Sequence, residues 1–414
     1  MKAELISIGD ELLIGQVVNT NASWIASTLS RIGVKVVHIA AISDTHADII
    51  SALDEASGRA DLIIMTGGLG PTRDDITKQT LAEYFDTKLI FHEFSFRQVE
   101  KLFKARKYTV SEVNRRQAEI PENCTPLKNE NGTAPGMWFE KDNKIYVSVP
   151  GVPYEMQGLM TDHVLPRLAD RFNMGAIYHR TIMTFGMGES RLAEKIGDIE
   201  DALPGHIKLA YLPQPGIVRL RLSGTGEDSE TIRQEVEKHV RKIVDRVPEI
   251  IFGYDDITME ETVGKSLAWH QVSLGTAESC TGGYLAHLIT TIPGSSAYFK
   301  GSVIAYANEV KEKLLGVSRS ALDHHGAVSQ EVVEQLAVGG RLKLKSDYCL
   351  ATSGIAGPDG GTKEKPVGTV WIALAGPDGV QSKLLHLGEH RQRNIRMSAL
   401  WAMNLLRLQL DKIS

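Results

Sequence analysis

From residue 3 to about residue 170, short β-rich runs at 5–8, 34–42, 62–65 and 145–149 alternate with stretches whose apolar residues recur at helical spacing. A strand that reaches the next one through a helix runs parallel to it, and the helices cover both faces of the sheet. The alternation therefore predicts an α/β domain over 1–170, three layers built on a parallel sheet. Ligands in such domains meet the loops at the carboxyl ends of the strands. Here those ends read Gly9-Asp10-Glu11, Ser43-Asp44 and Thr66-Gly67-Gly68-Leu69-Gly70-Pro71-Thr72.

The pattern changes near residue 178. Strand-like runs at 179–185, 208–212, 217–222 and 250–252, with helical stretches at 190–199 and 230–247, predict a small α+β sandwich over 178–253. Within it, Gly186-Met187-Gly188-Glu189-Ser190 reads as a turn and a helix start, not a phosphate loop. Tyr254-Asp255-Asp256 reads as a linker. A third unit, α/β over 258–414, shows helices at 259–269, 309–315, 330–344 and 395–410. Its strands start at 272 and run at 299–307, 348–353, 370–374 and 382–387.

With 414 residues, 42% apolar and 23% charged, the chain is of ordinary globular composition and long enough for two or three cores. A net charge of −5, without a dense basic run, argues against nucleic acid as a partner. The three cysteines, Cys124, Cys280 and Cys349, are too far apart in sequence for a zinc knuckle and too few for a disulfide framework, so a reducing cytoplasm is expected. No apolar stretch approaches the length of a membrane span, and no membrane partner is expected.

The third unit carries the sharper chemistry. An apolar run at 272–277 leads into Glu278-Ser279-Cys280-Thr281-Gly282-Gly283 and then a helix-like stretch. Glycines let the main chain approach a ligand, and free N–H groups at a helix start favour negative charge. A serine hydroxyl is a weak nucleophile until a neighbour takes its proton, and a lysine does so when desolvation lowers its pKa. Tyr306 and Lys311 offer such a pair, so Ser279, Tyr306 and Lys311 form the candidate catalytic trio. Amides near Thr281, Gly282 and Gly283 are candidates for holding an oxyanion or a phosphate. The second glycine loop, Ser353-Gly354-Ile355-Ala356-Gly357-Pro358-Asp359-Gly360-Gly361, would take the other part. Plainer uses compete: a helix cap for the serine, a half-buried tyrosine, a solvated lysine. Cys280 is a rival nucleophile.

In the first unit, the loop from Gly67, Gly68 and Gly70 to Thr77 suits phosphate, with Thr72 and Thr77 adding hydroxyls. Asp74 or Asp75 can hold a hard divalent cation, joined by Asp10, Glu11 and Asp44 from neighbouring strand ends, since bare carboxylates would repel a diphosphate. Asp75 equally suits a helix cap. Arg115 or Arg116 can clamp phosphate bidentately or serve as a solvated helix face, and Asn131 opens a second turn-rich loop.

Taken together, Gly9 to Gly15, Thr20-Asn21, the 67–77 loop, Asn131 to Gly136 and Val149 to Met156 resemble the amino-terminal part of the CinA family of competence/damage-inducible proteins. Glu278 to Gly283, Gly294-Ser295-Ser296, Tyr306 to Lys311, Gly326 to Ser329, Ser353 to Gly361 and Lys365 to Val370 resemble its carboxy-terminal part. The resemblance implies a first domain similar to molybdopterin-binding domains, a KH-like middle module and a carboxy-terminal nicotinamide mononucleotide deamidase, in a homodimer. It implies two hydrolases of pyridine-nucleotide recycling. The deamidase, with Ser279, Tyr306 and Lys311 catalytic, needs no cofactor, whereas ADP-ribose pyrophosphatase in the first unit uses a divalent metal, magnesium, on Asp44, Asp75 and Asp74. Asn21, Lys365 and an arginine enter as substrate contacts. The family's Gly-Asp-Arg turn is replaced here by Gly388-Glu389-His390-Arg391-Gln392-Arg393, and Arg393 is favoured over Arg391 and Arg396. Competing readings are a pterin-binding protein of molybdenum insertion and a non-enzymatic accessory of DNA uptake.

Overall fold

The computed structural model describes residues 1–72, 75–105, 108–171 and 176–413. The chain forms two compact units, Met1–Tyr178 with Thr225–Arg233, and His179–Gly224 with Gln234–Ser414.

The first unit is built on a six-stranded sheet. Its strands, in chain order with a separate short pair (β4 and β5), are β1 (Lys2–Ile8), β2 (Lys35–Ile42), β3 (Leu62–Thr66), β4 (Leu89–Phe91), β5 (Glu119–Pro121), β6 (Thr125–Leu127), β7 (Gly136–Lys141) and β8 (Lys144–Val149). The sheet order is β2-β1-β3-β8-β7-β6. β1, β2, β3 and β8 are mutually parallel, as the alternation predicts, and β3 is buried along its whole length because apolar side chains meet a core on each face. The all-parallel expectation needs correction at one edge. Asp142 and Asn143, at φ 52° and 60°, make a two-residue turn that sends β8 back antiparallel along β7, and β6 follows. Paired left-handed residues match the strand twist, which is why this Asp-Asn pair closes a hairpin.

The middle module holds β9 (Ala176–Phe185), β10 (Ile207–Gln214), β11 (Ile217–Gly226) and β12 (Ile251–Tyr254) in the order β10-β11-β9-β12, with helices Glu189–Asp201 and Ser229–Arg246. The expected linker at 254–256 is not slack. Tyr254 ends β12, the Arg180 guanidinium lies 4.6 Å above its ring, and Arg180 Nη1 donates to Asp255 at 2.6 Å.

The last five strands, β13 (Leu274–Glu278), β14 (Phe299–Ile304), β15 (Tyr348–Gly354), β16 (Thr369–Gly376) and β17 (Gly379–His386), order as β14-β13-β15-β16-β17. β13 is parallel to β14 and β15, while β16 and β17 are antiparallel additions. Alternation sorts the faces. Leu274, Leu350, Val370 and Ile372 pack with helices Met259–His270, Tyr284–Thr290 and Arg391–Leu410. Ala277, Cys349, Ala351 and Ala373 pack with helices Asn308–Leu315, Arg319–His325 and Gln330–Leu344. Among the described residues, no helix is long and apolar enough to cross a membrane.

Candidate active site

Ser279 takes the first step beyond β13, its N–H donating to the Thr352 carbonyl at 2.9 Å. Continued alternation assigns its side chain to the Ala277 face, the side on which helix Asn308–Leu315 lies, and Glu278 to the opposite face. Ser279 is 9% exposed.

Lys311 lies in that helix and is 1% exposed. Its Nζ donates to the carbonyls of Ala305 at 2.8 Å and Tyr306 at 2.9 Å. Ala305 in turn donates its N–H to the Glu278 carbonyl at 2.7 Å, so the amine sits at the level where β13 and β14 end. Burial pulls the Lys311 pKa below the ordinary lysine value, with the Cys280 sulfur acting in the opposite sense. A neutral amine has two N–H groups and one lone pair. The two carbonyls engage both N–H groups and leave the lone pair as the group's acceptor.

Cys280 does not compete. Burial pushes its thiol up to about 12, so it keeps its proton at neutral pH. The third member of the trio, Tyr306, meets Lys311 through its carbonyl, whereas the residue is 61% exposed and its phenol oxygen accepts from Arg391 Nη2 at 3.4 Å. Arg391 Nη1 donates to Gly357 O at 2.7 Å. Arg391 thus spans from the segment after β14 to the glycine loop after β15, over the end of β13. Arg393 is exposed, and its main-chain N–H pairs with His390 at the helix start. Of the two, Arg391 is the one whose guanidinium meets the glycine loop and Tyr306.

Gly282 and Gly283 adopt φ 60° and 99°, the left-handed turn that glycine makes without strain. Their amides, expected to meet substrate, are already committed. Gly282 N–H donates to Ser279 O at 3.1 Å, and Gly283 N–H donates to the Glu278 carboxylate at 3.0 Å. Thr281 spends its hydroxyl on Glu278 and Thr352, each at 2.7 Å. In the second loop, the buried Ser353 hydroxyl donates to Ala327 O at 2.6 Å, Gly354 lies against Val370, and Ala356 O accepts from Asn394 at 3.0 Å. Lys365 Nζ donates to His325 O at 2.7 Å. Sequence reasoning passed over Glu278 and Asn394. The signal for Glu278 was an acid closing an otherwise apolar strand run.

In the first unit, Gly67 N–H donates to Val149 O at 3.1 Å, and a Cβ on Gly68 would stand 2.0 Å from Thr77 Oγ1. Asn21 donates to Thr66 Oγ1 at 3.1 Å and Gly151 O at 2.7 Å. Its Oδ1 and the Thr77 hydroxyl are buried without a hydrogen-bond partner among the described residues. Among the described residues, the expected metal ligands form no cluster of three. Asp75 accepts from the Thr72 N–H at 2.9 Å and from the Thr72 hydroxyl, a turn-closing role, and a Cβ on Gly70 would meet its carboxylate at 2.5 Å. Asp10 accepts from Ser43 at 2.6 Å, Glu11 folds over Gly9, and Asp44 follows β2. Among the described residues, no group of three or more His, Cys, Asp or Glu could hold a metal ion, and Asp74 lies outside those residues. Arg115 stacks over Phe91 at 4.9 Å and pairs with Glu112 at 4.0 Å, while Asn131 reaches Tyr154 O at 3.5 Å. Lys78, unremarked in the sequence, is buried, with Nζ donating to Gln117 O at 3.0 Å and Glu119 O at 3.3 Å. Burial pushes its pKa down to about 8.

Three families match in succession: the probable molybdopterin binding domain at residues 4–170, the damage-inducible protein CinA KH domain at 179–253, and the CinA C-terminal domain at 256–410. A CinA-like protein of Cytophaga hutchinsonii is 46% identical over 411 residues, covering 99% of this chain and 98% of that one. One of Flavobacterium psychrophilum is 45% identical, covering 95% of each. The crystal structure of competence/damage inducible protein CihA from Agrobacterium tumefaciens is 33% identical, covering 37% of this chain and 93% of that chain, with a TM-score of 0.36. Full-length identity at this level, with all three domains in the same order, places the chain in the CinA family.

Proposed function

We propose that the CinA C-terminal domain is an amidase that converts nicotinamide mononucleotide to nicotinic acid mononucleotide and ammonia, with Ser279 as nucleophile and Lys311 as its base. The observation that carries this reading is the desolvated Lys311 amine at the end of β13, its N–H groups taken by two carbonyls. Lys311 removes the Ser279 proton as Oγ bonds to the carboxamide carbon. The resulting ammonium returns that proton to nitrogen as the C–N bond breaks and ammonia leaves. Water, activated by the neutral amine, then opens the acyl ester. Tyr306 and Arg391 line the rim, where Arg391 suits the substrate phosphate better than a lysine would, because its planar fork binds two oxygens at once. Ammonia release by the purified chain, and its loss in Ser279→Ala, tests the reading. Release at wild-type rate in Ser279→Ala sinks it.

For the first unit the proposed substrate is ADP-ribose, hydrolysed to AMP and ribose 5-phosphate with magnesium. The buried Asn21 Oδ1 and Thr77 hydroxyl beside the glycine loop, without a partner among the described residues, support ligand binding there. The described residues offer no donor set for the ion, and no step is assigned to it. The match to a molybdopterin binding domain favours pterin as a second ligand. Offering ADP-ribose and a pterin, each with magnesium or with chelator, and chromatographing the products separates the two. A homodimer in the cytoplasm completes the proposal, and sedimentation of the purified chain checks its oligomeric state.

A further inference from the structure

Glu278 stands one residue before the nucleophile, is fully buried, and has no cation among its hydrogen-bond partners in the described residues. Its Oε2 accepts the N–H groups of Gly283 and Leu285, each at 3.0 Å, and the Thr281 hydroxyl at 2.7 Å. Its Oε1 accepts the Ala286 N–H at 2.8 Å, with hydroxyls of Thr276 and Ser302 at 3.4 Å. Both oxygens thus accept main-chain donors, as an ionised carboxylate does. A glutamine turned either way would set its –NH2 against one of those N–H groups.

The consequence falls on the amides that remain. Ser279 N–H is bound to Thr352 O, Gly282 N–H to Ser279 O, and Tyr284 N–H to Thr281 O. The amides of Gly283, Leu285 and Ala286 belong to Glu278. That leaves Thr281 and Cys280, whose N–H groups form no main-chain hydrogen bond among the described residues. We propose that Glu278 is the positioning residue of the nucleophile loop. Its carboxylate consumes the donors at the helix start, closing that end to a substrate phosphate, and reserves the Thr281 and Cys280 amides for the oxyanion that forms when Ser279 attacks. The inference rests on the reading of Ser279 as nucleophile.

The test uses Glu278→Gln and Glu278→Asp in the full chain. For Glu278→Gln, kcat on nicotinamide mononucleotide falls about 100-fold with KM within about threefold, the scale of a lost oxyanion donor. Glu278→Asp, which keeps two acceptor oxygens, recovers part of that loss. Amide hydrogen exchange at 283, 285 and 286 accelerates in Glu278→Gln while the amides of β13 keep their protection. Wild-type kcat, or unchanged exchange at those three amides, overturns the proposal. If Glu278→Gln does not fold, Glu278→Asp carries both measurements against the same criteria. Exchange needs no substrate, so a wild-type chain that releases no ammonia refutes the amidase reading while exchange still decides whether Glu278 orders the loop.

Discussion

The glycine loops after β3 and β13 each follow a strand flanked by two parallel neighbours and share a turn chemistry, yet they treat carboxylates in opposite ways. After β13 the carboxylate of Glu278 turns inward and takes the helix-start donors, so the anion-binding capacity of that end is used within the protein. After β3, Asp75 closes its own turn through Thr72, and the buried Asn21 Oδ1 and Thr77 hydroxyl have no hydrogen-bond partner among the described residues. The loop after β13 thus has its helix-start donors filled from within, with the buried Lys311 amine at the level of the same strand ends. A Ser-x-x-Gly-Gly or Gly-Gly-x-Gly pattern alone does not tell these apart, because the deciding group is the nearest carboxylate and where it points.

The sharpest way to break this contrast is Ser279→Ala, expected to lower ammonia release by on the order of 10⁴-fold, the cost of losing a nucleophile that acts with its base. Lys311→Met should cost about 10³-fold. In the wild type the rate rises with pH as Lys311 loses its proton, and it levels off below the ordinary lysine value because burial lowers the pKa. Lys311→Arg, charged at every working pH, should stay inactive across the same profile. Arg391→Ala should raise KM for nicotinamide mononucleotide about tenfold, the loss of one charged contact, while Arg393→Ala stays within about twofold. Reversed effects in this pair would return the phosphate contact to Arg393. The smallest change probes the other loop: Asp75→Ala should lower unfolding stability by about 1 kcal/mol, as a lost turn-capping acceptor does, measured by denaturant melts.

Lys78 supplies a pH test specific to the first unit. Its folded pKa of about 8 lies below that of an unfolded lysine, about 10.4, so between these values the unfolded chain binds more protons. Stability relative to Lys78→Met should therefore rise as pH increases from about 8 toward about 10.4. A flat difference across that window would show that the amine is solvated in the folded protein.

Much of this was legible in sequence because it is local. The strands at 5–8, 62–65, 145–149, 348–353 and 370–374 all lie where their apolar patterns put them. So do the glycines that take left-handed φ after β3 and β13, since a positive φ is a property of the residue itself. The hairpin that makes the first sheet mixed was signalled by Asp142-Asn143 and overlooked, because Trp138 and Phe139 were not tied to a partner strand. Helix Arg319–His325 was also missed: seven residues carry too little periodicity to stand out.

By itself the sequence determined which residues end the strands and which turns need glycine, because side-chain alternation and backbone sterics act within a few residues. Only the tertiary structure decided that Arg391 and not Arg393 reaches Gly357, that Tyr306 turns to Arg391, that Lys311 is stripped of water, and that Glu278 captures the helix start. Each depends on register between distant strands and on which helix covers a given face. Residues far apart in the chain set those relations, and no local pattern encodes them.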